Sequence, residues 1–195
     1  MREALAEFIE ALDRGQLEVA RRLTETRGEL AGSADFGPVL PLMRRDEQAR
    51  FVAAARGNLK RRIHFTGHLE HGRLAPLLGA ADVFLSPSIF PEAFGLVSIE
   101  AMAAGAVPLA TYQTGLRTAL DAAAGVTRDP ELTSVKPGTA LTASLGRLIP
   151  HVLASQPTRE SGFRARLHEA VTRRFSWSSV AERYLELRAP DDSGS

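Results

Sequence analysis

The chain has 195 residues, 44% of them hydrophobic, and a formal net charge of +1. That is enough material for one buried core, with no electrostatic reason to expect nucleic acid or an anionic membrane as the main partner. The absence of cysteine excludes disulfides, a thiol nucleophile and thiolate metal sites.

The N-terminal stretch spaces Leu5, Phe8, Ile9, Leu12, Val19, Ala20 and Leu23 among charges, which predicts two amphipathic helices broken at Gly15. It has no basic start, long apolar region or small-residue cleavage site, and no run approaches the roughly 20 apolar residues of a membrane span. A cytoplasmic location is therefore the expectation. "RGELAGSADFGPV" reads as a connector, and the second half of "LPLMRRDEQARFVAAARGNL" as another amphipathic helix. Residues 1–59 are thus expected to form a helical N-terminal segment.

From residue 60 the pattern changes. "RIHFTGHL" predicts a strand, "GRLAPLLGAA" a short helix, "DVFLSPS" a strand, "GLVSIEAMAAG" a helix and "AVPLATY" a strand. Strands alternating with helices predict βαβ units, hence an α/β fold with a parallel, Rossmann-like sheet and flanking helices. "ALTASLGRLIPHVLA" and "RESGFRARLHEAVTRRF" predict helices either side of Pro157. The "APDDSGS" tail, within residues 188–195, is expected to be disordered.

The segment "SPSIFPEAFGLVSIEAMAAGAVPLAT", residues 86–111, is the most informative. An apolar strand ends at Ser-Pro-Ser, and in open α/β sheets the carboxyl edge of the strands is where ligands bind. Gly95 lets a ligand approach the backbone, and the helix that follows offers free N–H groups to an anion. Gly105 ends that helix. Glu100 has Leu96, Val97, Ala103 and Ala104 at three and four positions along the helix. Such a carboxylate is either solvated at the exposed edge or held by a hydrogen-bond donor. Glu92, in the loop, carries no signal by itself.

Taken together, "PEAFGLVSIEAMAAGAVPLAT" resembles the donor-binding signature of glycosyltransferase family 4, retaining enzymes of the GT-B fold. It has two glutamates with seven residues between them, enclosing Phe-Gly-Leu. "RIHFTGHL", "LAPLLGAADVFLSPS" and "RRFSWSSVAERYLEL" are similar to other segments of that family in the same order, so the resemblance covers residues 60–187. It implies a nucleotide-sugar-binding domain over those residues, the C-terminal half of a GT-B enzyme without its first strands. It further implies that Glu92 faces the donor sugar and the reaction centre, and that Glu100 accepts the ribose hydroxyls. Phe94, Gly95 and Leu96 would present backbone N–H groups to sugar and diphosphate. Gly67, His68 and Leu69 would lie near the base, and Gly115 and Leu116 would enter the same crevice.

The activity implied is transfer of a sugar from a nucleotide-diphosphate sugar to an acceptor that the sequence does not identify, with no cofactor and no metal. In that family a separate Rossmann-like domain binds the acceptor, and the sheet order 3-2-1-4-5-6 places two further strands in the middle of the donor domain. Neither is expected among these residues. Self-association, or pairing with a missing acceptor domain, is therefore expected. Thr118 stands where many members carry a glutamate. The other function class compatible with these residues is a non-catalytic nucleotide-sugar-binding or interaction module. His64, His68 and His71 have spacings a metal site could use, but no carboxylate is patterned to support them. The arginines of "RESGFRARLHEAVTRRF" are balanced by Glu160 and Glu169 and read as a solvated helix face, not a nucleic-acid surface.

Overall fold

A computed structural model describes residues 2–30, 44–88, 90–133, 135, 141–155 and 160–188. Of the expected connector, residues 27–30 are described and belong to a helix, whereas residues 31–43 and the C-terminal tail from residue 189 lie outside the described residues. The chain divides into two compact units between Leu69 and Glu70.

The first unit is helical. Helix α1 (Arg2–Asp13) and helix α2 (Leu17–Leu30) meet at Gly15, as the spacing predicts. Helix α3 (Arg45–Ala55) and a single turn, α4 (Leu59–Arg62), follow. Their apolar stripes close on one core of Ala11, Leu12, Ala20, Val52 and Ala55, with Phe8, Leu17, Leu23 and Leu59 around it. Asp13 ties the corner together: its carbonyl accepts the Gly57 N–H at 2.8 Å and its carboxylate the Lys60 N–H at 3.0 Å.

The strand expected in "RIHFTGHL" does not form. Arg61 and Arg62 complete α4, and residues 63–70 carry no strand ladder. Ile63 has strand-like backbone angles, φ −109° and ψ 124°. A strand, however, exists only as part of a hydrogen-bonded ladder, and none is formed over these described residues. His64, Phe65, Thr66, Gly67 and His68 are all exposed.

The second unit holds the α/β pattern. Helix α5 (His71–Ala80) leads into strand β1 (Val83–Ser86), helix α6 (Leu96–Ala103) and strand β2 (Val107–Ala110). The two strands pair in parallel, with Val83 opposite Val107 and Ser86 opposite Ala110. Helix α7 (Leu116–Thr127), which the sequence reading did not anticipate, follows β2. A 3-10 turn (Pro130–Thr133) and helices α8 (Leu141–Ala154), α9 (Phe163–Phe175) and α10 (Trp177–Arg188) complete the unit.

Every residue of β2 is buried, which its unbroken apolar run requires. Ile99 and Met102 of α6, Val107 and Leu109 of β2, Ala119 and Ala123 of α7, Leu148 and Val152 of α8, and Phe163, Leu167 and Val171 of α9 form one continuous core. Helix α5 packs on α6 through a smaller cluster of Leu78, Ala101 and Ala106. Helix α9 is fastened across the back of α6. The Arg164 guanidinium donates to Gly79 O at 2.8 Å and Ala81 O at 2.9 Å, and His168 Nδ1 donates to Ala103 O at 2.8 Å.

Candidate functional site at the carboxyl edge of the sheet

Because β1 and β2 are parallel, the loops that leave them emerge at the same edge of the sheet. The loop after β1 carries Glu92 and Phe94, and the loop after β2 carries Thr111 to Gly115. Their backbones interlock. Glu92 N–H donates to Thr114 Oγ1 at 2.9 Å, and Gly115 N–H donates to Glu92 O at 2.9 Å. The Gln113 amide donates to Ser88 O at 2.8 Å and Phe90 O at 3.1 Å, while the Thr111 hydroxyl also donates to Ser88 O. Both backbone polar groups of Glu92 are thus taken by the second loop, and its half-buried side chain is delivered by a clamped peptide.

Two glycines make this close approach possible. Gly95 has φ +70°, and a Cβ there would stand 2.7 Å from a Leu116 methyl. Gly115 has no room for any side chain, since its Cβ would meet Ala93 O, Phe94 N and Phe94 Cα, each at 2.4 Å. Thr114, between the clamps, has φ +39°, an uncommon conformation for a β-branched residue that surrounding contacts must hold in place.

Helix α6 starts at Gly95 without a side-chain cap, so its first turn leaves backbone N–H groups for a ligand or solvent. Phe94, Leu96 and Val97 flank that terminus and are 42%, 61% and 40% exposed, unusual values for large apolar side chains. The Phe94 ring sits edge-on to Phe175, at the end of α9, with centroids 6.0 Å apart. In the first turn the Ser98 hydroxyl is buried without a hydrogen-bond partner among the described residues.

Glu100 is neither fully solvated nor buried alone. Its carboxylate accepts a hydrogen bond from His71 Nε2 at 3.1 Å, and its side chain is 36% exposed. On the far side of the second loop, the Tyr112 hydroxyl donates to Asp121 at 3.1 Å, and this bond is the main cause that raises the phenol's pKa. The Arg117 guanidinium lies 5.2 Å from the Tyr112 ring centre.

The structure therefore brings together Glu92, Phe94, Gly95, Leu96, Gly115 and Leu116, with Glu100 on the same helix. Gly67, His68 and Leu69 belong to the first unit and follow no strand. Thr111, Gln113 and Thr114 were not singled out as site residues by the sequence, and His71 only through a histidine spacing considered for a metal. The polar run "TYQT" directly after a buried strand was the signal for the first three. Among the described residues no group of three His, Asp or Glu side chains could hold a metal ion. No helix among them is long and apolar enough to cross a membrane.

Comparison with known proteins identifies the family. A family model described as "Glycosyl transferases group 1" matches residues 4–149. The chain belongs to that family, and its α/β, Rossmann-like fold is the one the family implies. It is 34% identical over 142 residues to a phosphatidyl-myo-inositol mannosyltransferase of Mycobacterium leprae (strain TN), covering 73% of this chain and 34% of that protein. A protein of the same name from Mycobacterium tuberculosis (strain ATCC 25618 / H37Rv) is 33% identical over 134 residues, 67% of this chain and 33% of the relative. A D-inositol 3-phosphate glycosyltransferase 2 of Catenulispora acidiphila is 37% identical over 121 residues, 61% of this chain and 25% of the relative. The chain thus spans about a third of the length of the first two relatives and less of the third. No solved structure gives a significant match.

Proposed function

We propose that the chain is the donor-binding part of a retaining glycosyltransferase that takes a nucleotide-diphosphate sugar. The observation that carries this reading is the clamped loop pair, which holds Glu92 and the uncapped start of α6 on one edge of the sheet with Glu100 one turn further along. In this reading Glu100 accepts ribose hydroxyls, because a carboxylate can take two donors in charge-assisted bonds. The diphosphate lies at the N-terminus of α6, where backbone N–H groups and the helix dipole favour an anion. Glu92, ahead of Gly95 in the chain, faces the sugar.

Transfer with retention then proceeds on one face of the sugar. The bond from the anomeric carbon to the diphosphate oxygen breaks, the acceptor oxygen bonds to the same carbon, and its proton passes to the departing diphosphate. The protein contributes positioning and stabilisation of developing charge. Gly67, His68 and Leu69 are assigned to the base and Gly115 and Leu116 to the crevice wall, on the family resemblance. The acceptor is bound elsewhere, by a further domain or another chain. β1 has β2 as its sole neighbour among the described residues, and an open strand edge is a template for such pairing. The names of the relatives make inositol-bearing acceptors and a hexosyl donor the first to assay.

The test is calorimetric titration of the protein with uridine, guanosine and adenosine diphosphates. One of them should bind, and Glu100→Gln should weaken it by about 1–3 kcal/mol, the scale of losing bonds to a charged acceptor. Equal affinity in the variant would remove Glu100 from the nucleotide site.

A further inference from the structure

Glu100 is surrounded along its own helix by Leu96, Val97, Ala103 and Ala104, none of which can donate to a carboxylate. The side-chain donor it does have among the described residues comes from another element: His71, the first residue of α5, whose Nε2 lies 3.1 Å from Glu100 Oε1. The two positions are 29 residues apart. Their meeting follows from the packing of α5 on α6 through Leu78, Ala101 and Ala106.

As a fold-stabilising contact the pair has little to offer. The His71 side chain is 86% exposed, and exposed ion pairs contribute close to nothing to stability. For ligand binding the same contact has a different weight. A glutamate side chain has several torsions to freeze, and a group fixed before the ligand arrives spares the complex that entropy. A carboxylate oxygen has two acceptor sites, so a donor on Oε1 leaves one site there and both on Oε2.

We propose that His71 is a positioning residue for nucleotide recognition: its Nε2–H fixes the rotation of the Glu100 carboxylate so that the remaining acceptor sites meet the ribose hydroxyls. The inference rests on the assignment of Glu100 to the ribose. It requires the tautomer with the proton on Nε2, and it makes the His71–Glu100 pair, not Glu100 alone, the element that distinguishes ribose from deoxyribose.

The experiment uses the same 195-residue chain, titrated by calorimetry with whichever of uridine, guanosine or adenosine diphosphate binds most tightly, and with its 2′-deoxy counterpart. His71→Ala should weaken the ribonucleotide about two- to fivefold, the upper end of what an exposed pair can hold in place, and reduce the preference over the deoxy form by a similar factor. His71→Gln, whose amide N–H replaces the imidazole donor, should restore both. Thermal melts of the two variants should overlay the parent, which separates positioning from folding. If Glu100→Gln loses affinity while His71→Ala keeps the parent's affinity and preference, the Glu100 assignment stands and the His71 inference falls. If Glu100→Gln matches the parent, or no diphosphate binds the parent, both fall.

Discussion

A Cβ placed on Gly115 would stand 2.4 Å from both the amide nitrogen and the Cα of Phe94. The atoms in the way are backbone, so no rotamer change relieves the contact. Gly115 itself has an ordinary helical φ of −64°, which makes the cost of Gly115→Ala wholly steric. The variant should lose about 1–3 kcal/mol of stability, or more if the loop after β1 cannot withdraw. Gly95→Ala presents the reverse case: its nearest atom is a Leu116 methyl that can rotate away, but φ +70° is strained for any residue with a Cβ, at about 1–2 kcal/mol. Denaturant titration with unchanged slope measures both. A Gly115→Ala protein as stable as its parent would show that the loops are not interlocked.

Gln113 is a stronger clamp than its place in a loop suggests, because one amide group serves the Ser88 and Phe90 carbonyls together. Gln113→Leu removes both bonds without removing bulk. Amide exchange at Glu92 and Gly115 should accelerate by about tenfold or more, given roughly 1 kcal/mol net per hydrogen bond. Exchange in the core of α7 should not change. Uniform acceleration across the unit would mean that Gln113 supports the whole fold instead.

The parts of this architecture that were legible beforehand are those that depend on local pattern. The apolar run ending in Ser-Pro-Ser became β1, the βα alternation became a parallel pair, and the interruption at Gly15 separated two helices. The strand expected in "RIHFTGHL" failed because a ladder depends on a partner that no local run can supply. Helix α7 was missed although Leu116, Ala119, Leu120 and Ala123 already have helical spacing, since Gly115 and Leu116 were read only as crevice residues. For the site, the two glutamates and two glycines were visible as residues. What holds them was not: the His71–Glu100 bond and the Gln113 clamp join segments 29 and about 25 positions apart, which spacing rules do not reach.

Arg164 secures α9 to the α5–β1 turn by forking onto the Gly79 and Ala81 carbonyls, with its aliphatic chain against Gly105. Its third contact, with Asp82 at 3.1 Å, is to an exposed carboxylate and contributes little. Asp82→Asn should therefore be nearly silent. Arg164→Lys, which keeps the charge and loses the planar fork, should destabilise by about 1–2 kcal/mol. Chemical denaturation distinguishes the two, and equal losses would make the ion pair the operative contact.

Glu47 provides a pH-dependent element in the first unit. The Arg44 N–H donates to its carboxylate at 2.9 Å at the start of α3, and this backbone bond is the first reason its pKa lies below the usual value. A carboxyl whose folded pKa is depressed adds stability above its unfolded pKa, and that stability is lost as pH falls through the folded value. Acid should therefore loosen the first turn of α3 below the ordinary carboxylate range. NMR titration should find Glu47 ionising below that range, with the Arg44 amide shift following it; in Glu47→Gln that transition should vanish. An ordinary Glu47 pKa would mean the cap is not formed in solution.

Glu92 and Glu100 should separate turnover from binding. Glu92 precedes the helix terminus assigned to the diphosphate, and its peptide is held from both sides by Thr114 and Gly115. A side chain carried on so fixed a backbone suits an interaction that is strongest when charge develops on the sugar, and such an interaction raises turnover and leaves ground-state affinity alone. In an intact enzyme containing this domain, Glu92→Ala should accordingly lower turnover at least about tenfold with little change in affinity for the bare nucleoside diphosphate, whereas Glu100→Gln should mainly weaken that affinity. Steady-state kinetics with the nucleotide-sugar donor, run beside diphosphate calorimetry, read the two effects separately. Normal turnover with damaged diphosphate binding in Glu92→Ala would reverse the two assignments and move the sugar to the Glu100 side of the helix terminus.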